Sequence, residues 1–399
     1  MNPVQSFGLL MLGGMVSGEI CRRLFNLPRT TGYVVFGLCC GESGWGWIDA
    51  KMILSAQFFI DLALGLIVFE LGQRLHGQEQ PLLMPRRQVI LAGLTESAVS
   101  FVALTGLLLI LHVSLPLALL AGAIGVSTSP AITIATSSDV GARGNKSQIL
   151  YHCVAINCCV AFVLTTLFFP ALNDGLWSWP GLSISLGSIT ASLFLGICGA
   201  TVVLYGAALL GKHPEHQHML LLSVILIAVG VAITLGMSVL LSLLVLGTLS
   251  HHLDYKKQVV AIRISSDARI FLVVTFVLAG ASLNIRTLID YWDVALLFAL
   301  TRFASKVVPL FLLRQRLGLN DTEAAMLGVG LMPMSSVALV LLADGGAGSA
   351  GNGQLLFGSL LGSILLMQLL GPLATQSAIR SFGEASTLPE KIRRPPGAS

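Results

Sequence analysis

What the sequence lacks most is charge. Asp, Glu, Lys and Arg make up 11% of its 399 residues, whereas soluble domains carry about 25%. Hydrophobic types make up 55% of the chain, and the mean hydropathy is +0.85. This composition excludes a soluble globular enzyme, a disordered chain and a nucleic-acid-binding protein. The small net charge of +4 gives no reason to expect an acidic macromolecular partner, so an integral membrane protein remains.

The sequence also lacks the motifs that mark enzymes and metal proteins. It has no phosphate-binding loop, no dinucleotide fingerprint and no nucleophile with a paired base. Its seven cysteines form no C-x-x-C pair, and all lie in or at the edge of apolar stretches. They indicate small buried side chains, without a disulfide framework. We therefore predict no enzymatic activity, no cofactor and no bound metal.

Long apolar stretches, by contrast, are abundant. A helix needs about 20 apolar residues to cross the hydrocarbon core of a lipid bilayer. The stretches therefore predict an all-α membrane protein with about thirteen transmembrane helices. The predicted spans, numbered one to thirteen, are 7–24, 31–48, 53–71, 88–111, 115–137, 147–170, 183–210, 218–235, 236–250, 267–283, 291–313, 324–343 and 355–379. Residues 1–385 then form a single transmembrane domain, and 386–399 form a short cytoplasmic tail.

The basic residues predict how these spans are oriented. Lys and Arg collect in cytoplasmic loops, and 19 of the 23 fall in alternate loops on one side of the predicted spans. Lys51 and Arg286 lie on the other side, and Arg302 and Lys306 fall inside span eleven. We expect a multi-pass protein of the cell inner (plasma) membrane, with its N-terminus outside and its C-terminus in the cytoplasm.

Two spans contain a proline near the middle of the membrane. Span five reads Ser127-Thr128-Ser129-Pro130, and span twelve reads Met332-Pro333-Met334-Ser335. Proline interrupts a helix, and the freed backbone groups are tolerated in a membrane only where they line a cavity or pack in protein. One such break is often a simple kink. Here the breaks occupy the fifth span of two six-span sets that run in opposite directions. This is the pattern of inverted repeats in secondary transporters, where two broken helices cross at the midplane beside the substrate.

Few ionisable residues are expected at that depth. Arg302 and Lys306 are spaced i, i+4 and share one face of span eleven. Glu96 lies at the corresponding position of the other repeat, in span four, so we expect it to meet them. The charges form either a structural ion pair or a titrating pair that takes up a proton when a cation leaves. Asp61, midway along span three, is either a second acid or a helix-packing residue.

Span six places two further candidates at mid-depth, Asn157 and Cys158. A buried asparagine needs a hydrogen-bonding partner, and the break in span five is the obvious one. The alternative is that Asn157 only joins one helix to another.

Several segments together resemble the monovalent cation:proton antiporters, in the branch of the Kef and NapA-type proteins. The resemblance runs from residue 8 to about residue 375. It is carried by 27–38, Phe69-Glu70-Leu71-Gly72, Ser127–Ala131, 277–284, Arg302 with Lys306, and 331–339.

The resemblance implies thirteen helices in two inverted repeats. It also implies a homodimer in which a core (about 88–170 and 291–379) moves against a dimerisation scaffold (about 7–71 and 183–283). In typical members the second residue of an Asp-Asp or Asn-Asp pair on helix six binds cation and proton in competition. Here that pair matches Asn157-Cys158, so the acid is missing, and a thiol is a poor ligand for alkali ions. Lys306 matches the buried lysine of the family, and Glu96 is the candidate substitute for its partner.

We therefore hypothesise an antiporter that exchanges protons for Na⁺ or K⁺ by alternating access, with protons and monovalent cations as its substrates. Glu96 is the titrating carboxylate in this hypothesis, and Lys306 with Arg302 is the charge that competes with the ion. The predicted ion-binding and coupling residues are Ser127, Thr128, Ser129, Asn157, Cys158, Glu96, Arg302, Lys306 and Ser335, with Pro130 and Pro333 at the breaks. Two alternatives stay open. One is a transporter of the same fold for an anion or other small solute, and the other is a non-transporting membrane sensor or assembly subunit.

Overall fold

The structure is a computed structural model, and it describes residues 3–48, 52–53, 57–74, 84–168, 179–211, 213–254, 265–282, 285–290, 292–334 and 352–385. Every regular element in these ranges is an α-helix. The fifteen helices described are α1 (Pro3–Phe25), α2 (Arg29–Cys40), α3 (Gln57–Arg74), α4 (Arg86–Ile110), α5 (Leu115–Val126), α6 (Pro130–Val140), α7 (Asn145–Phe168), α8 (Trp179–Leu210), α9 (Pro214–Thr234), α10 (Val239–His252), α11 (Ser265–Ala281), α12 (Ile285–Asp290), α13 (Trp292–Leu312), α14 (Asp321–Gly330) and α15 (Asn352–Ser381).

These helices confirm the predicted all-α fold and fit its thirteen spans. α5 and α6 together form span five, α14 begins span twelve, and the short α12 joins α11 to α13. Within the described ranges, seven helical segments are long and apolar enough to cross a membrane, and α10 and part of α11 are shorter apolar helices. Span two is shorter than predicted, because α2 ends at Cys40 and Gly41 is extended. Residues 335–343 of the predicted span twelve lie outside the described residues.

Helices α1, α2 and α11 pack closely through glycines. A Cβ atom on Gly37 of α2 would lie 1.9 Å from the carbonyl oxygen of Val277, and one on Gly280 of α11 would lie 2.2 Å from that of Val34. Such backbone approaches are possible only without side chains, which explains why glycine is frequent in this chain.

We expect Gly280→Ala to lower the thermal stability of the protein, because the added methyl group forces α2 and α11 apart. Overpacking of this kind costs about 1–3 kcal/mol. Thermal unfolding of the detergent-solubilised protein measures the effect. Gly230→Ala on α9 is the matched control, since its Cβ would meet nothing within 4 Å. Equal midpoints for the two variants would contradict the close packing.

The helices that carry the predicted site residues pack around one another. α4 contacts α5, α7 and α13, and α13 also contacts α14 and α15. At one end of this group the Glu384 carboxylate accepts hydrogen bonds from the backbone N–H groups of Lys146 and Ser147, at 2.9 and 2.7 Å. The Lys146 ammonium in turn pairs with Glu323 of α14 at 2.5 Å. These contacts tie the ends of α7, α14 and α15 together and fix the frame in which the midplane residues meet.

Candidate functional site

The first break separates α5 from α6 at residues 127–129, and its hydroxyls cap the two half-helices. The Ser127 hydroxyl donates to the carbonyl of Ile124 at the end of α5, at 2.7 Å. Ser129 is the N-cap of α6, and its hydroxyl accepts from the N–H of Ile132 at 3.3 Å. Pro130 occupies the first position of α6, where its missing N–H costs nothing. The sequence run therefore ends one half-helix and begins the next.

The two breaks meet, as the sequence predicted. The N–H of Ser129 donates to the carbonyl of Pro333 at 2.8 Å. The Thr128 hydroxyl donates to the carbonyl of Leu331 at 3.1 Å. Backbone freed at each break is thus partly satisfied by the other break, which is the condition for irregular backbone at membrane depth.

Arg302 holds the crossing from α13. Its guanidinium donates to the carbonyls of Gly125 (2.8 Å) and Ser127 (2.7 Å) in the first break. It also donates to those of Met332 (2.5 Å) and Leu331 (3.4 Å) in the second. The side chain is fully buried. One planar cation therefore satisfies carbonyls at the negative ends of both α5 and α14, where a positive charge is most favoured.

Glu96 and Lys306 form a fully buried ion pair. The ammonium of Lys306 lies 2.8 Å from Oε1 of Glu96, and both side chains are 0% exposed. The same ammonium donates to the carbonyl of Val126 at 3.1 Å. The pair therefore lies directly beside the end of α5. The expected meeting of Glu96 with α13 is observed for Lys306, whereas Arg302 donates to backbone carbonyls instead. What the pair does in transport remains a prediction.

Two serines near the pair were not singled out from the sequence. Ser100, one turn after Glu96 on α4, donates to Oε1 of Glu96 at 2.9 Å. Ser305 of α13 donates to the Ser100 hydroxyl at 3.1 Å. Oε2 of Glu96 is buried and has no hydrogen-bonding partner within the described part of the chain. Of the two carboxylate oxygens of Glu96, only Oε1 therefore has described hydrogen-bonding partners.

On α7, Asn157 and Cys158 both bind Thr128 of the first break. The carboxamide nitrogen of Asn157 donates to the Thr128 hydroxyl at 3.0 Å, and the thiol of Cys158 donates to the Thr128 carbonyl at 3.1 Å. The oxygen of the Asn157 carboxamide accepts from Ser97 of α4 at 2.8 Å. Asn157 thus finds the partner predicted for it, and Cys158 acts as a neutral donor.

The carbonyls of residues 125–129 all accept a hydrogen bond from a side chain. Their donors, in chain order, are Arg302, Lys306, Arg302 again, Cys158 and Thr133. A carbonyl oxygen has two lone pairs, so a cation at any of these oxygens would share it with the protein donor that is already bound. Ion binding at the hydroxyls of Ser127, Thr128 and Ser129 therefore remains a prediction.

The other predicted residues are placed as follows. Pro333 is buried in the second break, and Ser335 lies outside the described residues. The Asp61 side chain on α3 is half-buried. The described residues contain no group of three or more His, Cys, Asp or Glu side chains able to hold a metal ion.

Two broken helices that cross in the membrane, with a buried ion pair at the crossing, define a secondary transporter. The fold is similar to that of the sodium proton antiporter MjNhaP1 from Methanocaldococcus jannaschii. A structure of that protein at pH 8 matches with a TM-score of 0.71 at 18% identity, over 96% of this chain and 98% of that chain. A second MjNhaP1 structure, from electron microscopy, matches with a TM-score of 0.69 at 18% identity, over 96% and 99%.

The family is shown by the sequence itself. A sequence model of the sodium/hydrogen exchanger transmembrane family matches residues 8–379. The chain belongs to this family, and it is a multi-pass membrane protein of the cation/proton antiporter type.

Proposed function

We propose that this antiporter exchanges Na⁺ or K⁺ for protons by alternating access, and that the Glu96–Lys306 pair couples the two fluxes. The observation that carries the proposal is a fully buried carboxylate and ammonium, 2.8 Å apart, beside the crossing of two broken helices. Ionisable groups at this depth are costly and mark ion pathways or proton relays in membrane proteins.

Charge balance supports the coupling. The charges of Glu96 and Lys306 neutralise each other when no cation is bound. A cation bound to Glu96, with Lys306 still charged, leaves one uncompensated positive charge in a site of low dielectric constant, which costs several kcal/mol. Cation binding therefore releases one proton from the pair, and cation departure takes one up. The proton leaves from the Lys306 ammonium, because Glu96 is already ionised in the pair. In this scheme Glu96 therefore binds the cation and Lys306 is the charge that competes with the ion, whereas the sequence hypothesis gave the titration to Glu96.

Arg302 has a different role in the proposal. Its hydrogen bonds to four carbonyls keep it at the crossing, so we assign it to the framework and the competition to Lys306 alone. Carbonyl dipoles compensate the Arg302 charge, and Glu96 compensates the Lys306 charge. The site therefore has no uncompensated positive charge that would favour an anion over a cation. The candidate oxygen ligands besides Glu96 are Ser127, Thr128, Ser129, Asn157 and Ser335.

We also propose that a core of residues 88–170 and 291–379 moves against a scaffold of residues 7–71 and 183–283. The protein would act as a homodimer in the cell inner (plasma) membrane, with its C-terminus in the cytoplasm. The homodimer and the moving core rest on the resemblance to the cation:proton antiporters. The orientation is supported by the 19 basic residues on one side.

The test is proton flux in proteoliposomes that contain the purified protein and a pH-sensitive dye. A gradient of Na⁺ or K⁺ should drive protons the opposite way, and choline should not. Protons that respond to an anion gradient and to no alkali cation would overturn the proposal.

Cys158 gives a further prediction, because it stands where relatives of this type carry an acid. Cys158→Ser keeps a donor to the Thr128 carbonyl, so we expect its exchange rate to match the wild type. Cys158→Asp turns that donor into a carboxylate facing a carbonyl oxygen, and one extra charge favours an alkali ion by about 1–4 kcal/mol. We expect the cation concentration for half-maximal flux to fall by roughly tenfold or more. An unchanged value in Cys158→Asp would show that cations do not approach this position.

A further inference from the structure

Ser97 is a fully buried polar residue beside the coupling site, and the proposed exchange assigns it no role. It follows Glu96 on α4 and is 0% exposed. Its hydroxyl donates to the carboxamide oxygen of Asn157 on α7 at 2.8 Å. Because a hydroxyl has a single proton, Ser97 donates to Asn157 and to no other group at the same time.

From Ser97 the hydrogen bonds run in one direction to the second break. The carboxamide nitrogen of Asn157 donates to the Thr128 hydroxyl at 3.0 Å, and that hydroxyl donates to the carbonyl of Leu331 at 3.1 Å. Asn157 and Thr128 are both 0% exposed. The chain thus joins α4, α7, the first break and the second break without water.

The two ends of the chain together fix its direction. The carbonyl of Leu331 can only accept, so Thr128 donates to it and receives the donating end of the Asn157 carboxamide. The Ser97 proton then meets the accepting end of that carboxamide. If Asn157 turned over, its oxygen would face Thr128 and take the hydroxyl proton. The carbonyl of Leu331 would then lose the Thr128 bond that links the two breaks.

We propose that Ser97 is a positioning residue of the coupling site. By donating to the carboxamide oxygen, its hydroxyl stabilises the observed orientation of Asn157, and through Thr128 it helps to hold the two broken helices in register beside Glu96. This role rests on the proposed exchange function, since register of the crossing matters only where an ion passes it.

The test is a double-mutant cycle in the proteoliposome flux assay. We expect Ser97→Ala to slow exchange about tenfold and Ser97→Thr, which keeps the hydroxyl, to recover most of the wild-type rate. Thr128→Val should slow exchange similarly, and adding Ser97→Ala to it should cost little more, because the chain is already broken. Ser185→Ala is the matched control, since it removes a buried serine hydroxyl that donates to Gly181 of its own helix.

Three results would overturn the inference: a wild-type rate in Ser97→Ala, a slow Ser97→Thr, or losses that add in the double variant. The same cycle measured by thermal unfolding in detergent needs no transport. If the wild type carried no flux, the proposed exchange would fail, and the thermal cycle alone would decide the contact between Ser97 and Asn157. Coupled losses of stability would support it, and additive losses would overturn it.

Discussion

Glu96→Gln is expected to abolish cation-driven proton flux, with a loss of at least roughly 100-fold. The carboxamide has nearly the shape of the carboxylate and still accepts from Lys306 and Ser100. It carries no charge to bind a cation, and the Lys306 ammonium loses its counter-charge, so the exchange of a cation for the Lys306 proton is lost. Proton flux in proteoliposomes under a Na⁺ or K⁺ gradient measures the loss.

The control for this substitution is Glu215→Gln, which makes the same chemical change at an exposed position in the first turn of α9. It should leave the flux unchanged. Because Glu96→Gln leaves the Lys306 charge buried without its partner, that variant is expected to lose stability. The double variant Glu96→Gln/Lys306→Met removes both charges, so it should fold better than the single variant and still not exchange. Flux near the wild-type rate in either variant would remove Glu96 from the coupling site.

Arg302→Met is expected to destabilise the protein more than any other single substitution described above. It leaves carbonyls of both breaks without a donor, and each buried unpaired group costs about 1–3 kcal/mol. We expect a total of at least about 3 kcal/mol and a fall of roughly 5 °C or more in the unfolding temperature. The crossing should also move, so exchange should be lost. Thermal unfolding in detergent and flux in proteoliposomes measure the two effects.

Arg314→Met is the matched control, just past the end of the helix that carries Arg302. Arg314 pairs with Asp321 at 2.5 Å and lies over the ring of Phe311, but its side chain is partly exposed. Surface ion pairs contribute at most about 1 kcal/mol to stability. The unfolding temperature of this variant should therefore be close to that of the wild type. Arg302→Lys keeps the charge but has fewer hydrogen-bond donors. Its unfolding temperature should therefore lie between those of Arg302→Met and Arg314→Met. If Arg302→Met were as stable as Arg314→Met, the four carbonyl contacts would not be holding the crossing.

The sequence predicted the fold well, for a physical reason. Apolar runs of membrane length have few alternative structures in a bilayer, and prolines at residues 130 and 333 marked the breaks. The ends of spans were less predictable. The end of α2 at Cys40 depends on the backbone conformation of Gly41, and an apolar run does not reveal such local turns.

The ion pair was also predictable, because buried charges must be compensated and the three candidates occupied corresponding positions in the two repeats. The role of Arg302 was not predictable, since its partners are backbone carbonyls that have no side-chain signature. Ser97 was missed for another reason. Most serines in membrane helices bond to a carbonyl one turn earlier, as Ser223 does with Met219, and nothing in the sequence distinguishes Ser97 from them.

A cation and a proton are expected to exclude each other at the Glu96–Lys306 pair. The most direct measurement is proton release by the purified protein in weakly buffered detergent solution when NaCl or KCl is added. We predict a saturable release approaching one proton per chain, absent with choline chloride and absent in Glu96→Gln. Saturable cation binding without proton release would contradict this mutual exclusion of cation and proton.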